Sequence, residues 1–182
     1  VIGVIEPGAA EGVAATKNKR IAVLATESTV QGRAYARAIQ RLMADADVVQ
    51  QPCQVFVALA EEGWAETPAT LATAKHYLEP LFDGDDAPDT LVLGCTHFPV
   101  LANAIRRTVG TNIALVDSAE TTAAAVADAL EDADAASAGP AGNASIRFFA
   151  TDSPERFARV GAIFLGREIA VDDVELVDLR KA

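Results

Sequence analysis

The sequence predicts an α/β fold in which a parallel sheet is flanked by helices. Short apolar runs alternate along most of the chain with longer amphipathic stretches, the pattern of strands joined by helical crossovers. Apolar residues make up 51% of the 182 residues and aromatic residues only 5%, which suits helices packed on a parallel sheet better than an aromatic-rich sandwich. This length allows one domain, or one domain and part of another.

The strands are predicted from short apolar runs that polar or turn residues interrupt. They lie at residues 1–5, 20–25, 47–51, 90–94, 112–116, 145–150 and 174–179. Because the chain begins inside the first of these runs, at Val1, we expect it to begin partway through a longer protein.

The helices are predicted from apolar periodicity and from residues typical of helix starts. The periodic segments are residues 29–44, 67–81, 99–108 and the alanine-rich 121–130. Asp117 and Glu120 stand before the last of these at capping-box spacing, and Ser153 with Pro154 opens a further helix. Residues 131–144, rich in Ala, Asp, Gly and Ser, are predicted to form a flexible connector.

Charge and cysteine content narrow the functional classes. The net charge of −11 argues against nucleic acids and anionic membranes as partners, because both would repel such a surface. No apolar run approaches the length of a bilayer span, and the sequence begins without a secretory signal. The two cysteines match neither a disulfide framework nor a zinc motif, so we expect a cytoplasmic protein without a metal.

Polar segments follow three of the predicted strands. They are residues 6–8 (EPG), residues 26–29 (TEST) and residues 95–97 (CTH). In an open parallel sheet, ligands bind beyond the carboxyl ends of the strands. These segments are therefore the candidate site.

Cys95 is the most informative residue of these segments, because it lies between a strand and a helix start. Free backbone N–H groups at a helix N-terminus favour a thiolate, so we expect a pKa below the usual value of about 8.5. His97 could add a donor or relay a proton. Thr96 and the N–H groups could cradle a carboxylate. Such a site suits proton abstraction or nucleophilic attack.

Structural roles for the same residues stay open at this point. A cysteine that ends an apolar strand is commonly a small buried hydrophobe, and His97 could be a structural hydrogen-bonding residue. Thr26 and Thr29 could be helix N-caps. Glu61 could belong to a solvated helix end, and Cys53, without a cationic neighbour, is expected to be structural.

Several segments, in order, resemble the glutamate racemases. Residues 94–99 (GCTHFP) resemble the GCTHYP-type signature of that family. Residues 53–63 (CQVFVALAEEG) are similar to its CPLFVPLVEEG-type segment. The other similar segments are residues 3–8, 25–30, 116–118 and 149–157. The resemblance covers essentially the whole chain.

The resemblance implies an enzyme that interconverts L- and D-glutamate without a cofactor and supplies D-glutamate for peptidoglycan. In this family two cysteines face opposite sides of the α-carbon, one removing a proton and the other delivering one. Cys95 resembles the second of these cysteines and His97 the residue that assists it. Thr96, Thr26 and Thr29 resemble substrate-binding residues. Glu61 resembles an acidic residue near the second cysteine, with a catalytic role.

The resemblance also implies what the chain lacks. The family's DSG-type and CNTA-type loops, which bring the first cysteine, are absent from the sequence. Cys53 occupies another family motif and cannot replace that cysteine. We therefore expect one complete racemase-type domain, residues 1–116, followed by the C-terminal segment of its pseudo-symmetric partner, residues 117–182. We expect this chain to be inactive alone, with a homodimer as one way to support the second segment.

Two other functions stay open. The first is an aspartate or hydantoin racemase of the same superfamily; His97 argues against aspartate, because aspartate racemases typically carry glutamate at that position. The second is a non-catalytic domain that binds glutamate.

Overall fold

The computed structural model describes residues 1–136 and 145–179, which form two compact units. The first unit comprises Val1–Ala60 and Trp64–Ala136. The second comprises Glu61–Gly63 together with the described residues that follow Ala136. Each unit has its own small sheet.

The sheet of the first unit has four parallel strands in the order β2-β1-β3-β4. The strands are β1 (Arg20–Ala25), β2 (Asp47–Pro52), β3 (Thr90–Leu93) and β4 (Ala114–Asp117). Each overlaps a run that the sequence predicts as a strand. The predicted α/β class, with a parallel sheet flanked by helices, is therefore confirmed.

Helices cover both faces of this sheet. They are α1 (Ile5–Ala15), α2 (Glu27–Gly32), α3 (Ala34–Leu42), α4 (Gln54–Glu61), α5 (Pro68–Phe82), a 3-10 helix (Phe98–Leu101), α6 (Ala102–Val109) and α7 (Ser118–Asp132). Thr67 caps α5, since its Oγ1 accepts a hydrogen bond from the backbone N–H of Thr70. Asp117 caps α7 in the same way, accepting from two backbone N–H groups of the first turn.

Alternation along the strands divides the core into two layers. The side chains of Ile21, Val23 and Val92 belong to the same cluster as residues of α1 and α3. Those of Ala22, Leu24, Leu91 and Leu93 belong to the other cluster, with residues of α4, α5 and α6. Successive residues of a strand point to opposite faces, so the two central strands, β1 and β3, are buried on both sides.

An aromatic cluster anchors the second of these layers. The Phe56 ring meets Tyr77 at 5.3 Å and Phe98 at 5.5 Å between centroids, both in edge-to-face geometry. Phe98 opens the 3-10 helix that follows β3. Phe98, three residues after Cys95, thereby fixes the segment after β3 to the core.

A carboxylate ties together the loops at the opposite edge of the sheet. Asp89, directly before β3, accepts hydrogen bonds from the Oγ1 atoms of Thr16 and Thr90 and from the backbone N–H groups of Lys17 and Asn18. Burial of the Asp89 side chain raises its pKa, but these hydrogen bonds outweigh burial and lower the pKa below the usual value.

The predicted strand at residues 1–5 is wrong. Helix α1 begins at Ile5, and Val1, Ile2 and Val4 are exposed. A run of five apolar residues cannot by itself distinguish a strand from a helix start. Pro7 lies in the first turn of α1, where its fixed φ and missing N–H cost little. Glu6 therefore lies in a helix and not at the end of a strand.

The predicted helix at residues 29–44 is divided in two. Arg33 has a φ of 50°, in the left-handed region, and separates α2 from α3. Gly32 precedes it, a combination typical of a helix end. The predicted helices at residues 67–81 and 99–108 are confirmed, with the latter starting as a 3-10 turn.

The second unit is small and has few buried side chains. Its elements are β5 (Phe148–Ala150), α8 (Pro154–Leu165), a 3-10 helix (Val171–Asp173) and β6 (Val174–Leu176), and β5 pairs with β6 in parallel. Its buried core consists of Ala158, Ile169 and Val174. Both strands are shorter than the sequence predicts.

The connector predicted at residues 131–144 is only partly described. Its first two residues belong to α7, and residues 137–144 lie outside the described residues. In the described part of the chain, no helix has both the length and the apolar character that a membrane crossing requires.

Candidate active site

The candidate site lies at the carboxyl ends of β1 and β3. After β1 the chain continues to β2 on one side, and β3 pairs with β1 on the other. The connections that leave β1 and β3 therefore run in opposite directions along the sheet. In doubly wound folds a crevice forms at such a point. Thr26 follows β1 and Gly94 follows β3, so both predicted polar segments meet at this point.

A cavity of about 440 Å³ opens at this switch point. Hydroxyl groups dominate its polar lining. The lining residues are Val4, Thr26, Thr29, Tyr35, Gly94, Cys95, Thr96, Ser118, Ala119 and Thr122. A cavity of this size accommodates a small molecule such as an amino acid.

Cys95 lies on the wall of this cavity and is half-buried. Its Sγ lies 3.7 Å from Nδ1 of His97, within the range of a sulfur hydrogen bond. The same Nδ1 lies 3.4 Å from Oγ1 of Thr96. The backbone N–H of Phe98 donates to the Cys95 carbonyl at 3.1 Å and closes the turn that presents these side chains. The thiol and the imidazole therefore lie together, as a relay between them would require.

The predicted lowering of the Cys95 pKa is wrong. Burial raises the pKa of the thiol, and the hydrogen bond from the His97 backbone N–H only partly offsets that effect. The helix after Cys95 begins as a four-residue 3-10 turn at Phe98. Cys95 therefore receives one backbone donor rather than the full N-terminus of an α-helix. At neutral pH this sulfur is held mainly as the thiol.

The threonine pair follows β1, the strand that neighbours β3 in the sheet. It lines the same cavity as Cys95 and Thr96. Thr26 occupies the N-cap position of α2 but makes no side-chain capping hydrogen bond. Its Oγ1 instead lies 3.1 Å from Oγ1 of Thr29 and 3.3 Å from Oγ of Ser28. Because both threonines line the cavity, their hydroxyls are available to a ligand there.

The sequence analysis did not identify Tyr35, Ser118 or Thr122 as site residues. Ser118 Oγ donates to the carbonyl of Leu93 at 2.5 Å, and Thr122 Oγ1 donates to the carbonyl of Ser118 at 2.6 Å. Ser118 follows β4, so its position at a strand end was a usable signal. Tyr35 lies on the apolar face of α3 and has no such signal.

Glu61 belongs to the second unit. Its carboxylate pairs with the guanidinium of Arg156 in α8, and its backbone carbonyl accepts from Arg159. Cys53 is fully buried, and burial raises its pKa to about 12. Within the first unit, the structure thus brings together Thr26, Thr29, Cys95, Thr96 and His97 and places Cys53 in the core.

Metal ligands are not clustered in the part of the chain that the structure describes. There, no group of three or more His, Cys, Asp or Glu side chains is placed to hold an ion.

A half-buried thiol lies beside an imidazole on a hydroxyl-lined cavity at the switch point of a parallel sheet. Such an arrangement is typical of sites for acid–base chemistry on a small molecule. Residues 1–126 match the family model described as Asp/Glu/Hydantoin racemase. The chain belongs to that family.

Known relatives and solved structures agree with this assignment. The glutamate racemase of Geobacter metallireducens is 43% identical over 179 residues, which cover 98% of this chain and 64% of the relative. That of Neisseria meningitidis serogroup A is 44% identical over the same coverage. This chain thus spans just under two thirds of the length of these relatives.

Two solved structures are similar over nearly the whole chain. Glutamate racemase isoform RacE1 from Bacillus anthracis matches with a TM-score of 0.87 at 33% identity, over 98% of this chain and 65% of its own. The Francisella tularensis glutamate racemase, solved in complex with D-glutamate, matches with a TM-score of 0.86 at 29% identity, over 100% of this chain and 65% of its own. The resemblance to glutamate racemases is confirmed.

Proposed function

We propose that this chain supplies one proton-transferring face of a glutamate racemase, with Cys95 as its acid–base group. The observation that carries the proposal is the position of the Cys95 thiol on the cavity wall, 3.7 Å from the His97 imidazole. The relatives named glutamate racemase support glutamate as the substrate.

Cys95 transfers a proton to or from the α-carbon of the amino acid. In one direction the Cα–H bond breaks, the S–H bond forms, and the electron pair remains on the α-carbon, where the carboxylate stabilises it. In the other direction the S–H bond breaks, and its proton goes to the carbanion. His97 accepts a proton from the sulfur or returns one to it. Because the thiol form dominates at neutral pH, donation is the step for which Cys95 is poised in this chain.

The hydroxyls of Thr26, Thr29 and Thr96 bind the substrate. Neutral donors stabilise the negative charge that develops on the carboxylate during proton transfer, and they do so best when they are fixed before the reaction. The 3.1 Å contact between Thr26 and Thr29 holds this pair in place. Glu61 is proposed to act near Cys95 on the family resemblance alone.

The second face of the α-carbon needs a second thiol. Cys53 is unsuitable, since it is fully buried and burial raises its pKa to about 12. We propose that this thiol comes from outside the present chain, so that the chain alone does not racemise glutamate. In the complete racemase, residues 1–116 form one domain and residues 117–182 contribute to the other, and the D-glutamate produced serves peptidoglycan synthesis.

A fusion protein tests this proposal. The part of the Geobacter metallireducens racemase that this chain does not match, which the family resemblance assigns to the N-terminus, would be joined ahead of Val1. Optical rotation would follow the conversion of D-glutamate. We expect turnover by the fusion protein, none by the chain alone, and none by the fusion protein carrying Cys95→Ser. Cys53→Ala serves as the control variant and retains turnover. Turnover of the Cys95→Ser fusion at the unsubstituted rate would refute the role of Cys95.

The same fusion distinguishes the rival functions. Aspartate and hydantoins would be offered beside glutamate, because the family model includes racemases of all three. We expect glutamate to be preferred. Calorimetry on the chain alone tests the binding-domain alternative, which tight glutamate binding without turnover of the fusion would favour.

A further inference from the structure

The ring of Tyr35 lies directly behind the junction that presents Cys95. Tyr35 is 2% exposed, and its ring fills a slot between Gly8 of α1 and Gly94 at the end of β3. A methyl group on Gly94 would lie 2.8 Å from Cε2 of this ring, and one on Gly8 would lie 3.4 Å from Cε1. The two glycines thus leave the space that the tyrosine occupies.

The hydroxyl of Tyr35 joins a chain of hydrogen bonds that ends on β3. Its partner is the side chain of Ser118, whose own hydrogen goes to the carbonyl of Leu93 at 2.5 Å. Because Ser118 has a single hydroxyl hydrogen, it accepts from Tyr35. The chain therefore runs from α3 through the first residue of α7 to Leu93, two residues before Cys95.

We propose that Tyr35 is a positioning residue for Cys95, whose ring and hydroxyl hold the end of β3 so that the thiol stays on the cavity wall beside His97. The inference rests on the proposed function for the acid–base role of Cys95. It goes beyond that function by assigning the placement of the thiol to a residue on another element.

Electrostatic coupling supports the same pairing. Burial raises the pKa of Tyr35, and the nearby Cys95 and Glu6 raise it further. The titratable groups around this pair include His97 on the loop of Cys95 and Glu6 on α1. Replacing the hydroxyl by hydrogen makes the cavity wall more apolar and leaves the thiolate with less polar support.

Tyr35→Phe tests the inference on the full chain. The rate of Cys95 alkylation by iodoacetamide would be measured from pH 6 to pH 10, with the modified peptide identified by mass spectrometry. We expect alkylation at pH 8 to be at least threefold slower than in the unsubstituted chain, and the midpoint of the profile to move to higher pH. A profile that superimposes on that of the unsubstituted chain would overturn the inference.

Tyr77→Phe is the matched control. The Tyr77 hydroxyl also makes one hydrogen bond, accepting from the backbone N–H of Val55 at 3.4 Å, and its ring packs on Phe56. A purely structural effect of losing a tyrosine hydroxyl would appear in both variants as a lower urea midpoint. Only the Tyr35 variant is expected to change the Cys95 profile, and an equal change in both would contradict the inference.

Ser118→Ala tests separately whether Tyr35 acts on Cys95 through Ser118. If Tyr35 acts through Ser118, the alanine variant slows Cys95 alkylation, and the double variant is no slower than the more affected single variant. Additive effects would contradict the hydrogen-bonded chain. Alkylation requires no turnover, so these results are independent of the racemase assay, and failure of one proposal is distinguishable from failure of the other.

Discussion

Gly94→Ala probes how tightly the site is packed onto the core. The added methyl group would lie 2.8 Å from Cε2 of Tyr35 and 3.0 Å from the carbonyl oxygen of Leu24. The ring could shift, but that oxygen belongs to β1 and accepts the Gly94 N–H at 2.8 Å. Relief of the clash therefore costs a sheet hydrogen bond or moves a buried ring.

The magnitude follows from two opposing terms. Overpacking of this kind costs about 1–3 kcal/mol. Gly94 is not among the glycines with positive φ, so alanine suits the backbone there and recovers about 0.4–1 kcal/mol by restricting the unfolded chain. The net expectation is a loss of about 1–2 kcal/mol in the free energy of unfolding.

Urea unfolding followed by the fluorescence of Trp64 measures this loss. Trp64 is the only tryptophan in the sequence and belongs to the first unit, as Gly94 does. Gly32→Ala is the control: its methyl group would meet nothing within 4 Å, so helix propensity should leave stability equal or slightly higher. If Gly94→Ala unfolds within about 0.5 kcal/mol of the unsubstituted chain, the packing argument fails.

Further predictions concern stability and thiol chemistry. Asp89→Asn should lower the free energy of unfolding by about 1–2 kcal/mol at pH 7, because hydrogen bonds to a charged carboxylate are weakened. Since folding lowers the pKa of Asp89 below 3.8, its contribution is present above that pH and is lost as the pH falls through the folded value. Urea midpoints at pH 7 and pH 2.5 test this, and the exposed Asp86→Asn should change neither. In the native chain at pH 8, iodoacetamide should label Cys95 and leave Cys53 unmodified, because burial raises the Cys53 pKa to about 12; equal labelling by mass spectrometry would disprove its burial. Thr67→Ala should cost about 1 kcal/mol by removing the N-cap of α5, and an unchanged urea midpoint would show that the cap contributes nothing.

The centre of the sheet was predictable because β1 and β3 are buried on both faces. Runs such as residues 20–25 and 90–93 are nearly all apolar and are bounded by polar residues, so their positions follow from composition alone. The first helix was not predictable in this way. Residues 1–5, which lead into it, are equally apolar, and the fully buried Ala9 of this helix packs with residues of the sheet.

The site was predictable as a place but not as a set of contacts. Chain order alone brings Thr26 and Cys95 to the carboxyl ends of neighbouring strands. Tyr35 reaches the cavity because α2 ends at Arg33 and α3 starts in a new direction, which depends on one left-handed residue. No local pattern in the sequence connects Tyr35 with Gly94.

The pKa of Cys95 is raised, although its position before a helix start predicts that it is lowered. A helix start stabilises a thiolate only through N–H groups that reach it, and here one N–H, that of His97, does so. Desolvation acts on the whole sulfur and is the larger effect. Burial therefore raises the pKa of the group to which we assign the proton transfer. In such a site the thiolate becomes accessible when positive charge arrives beside it, and the ammonium group of an amino acid carries that charge. Under the proposed function, burial of the Cys95 thiol would make its ionisation sensitive to an ammonium group bound beside it.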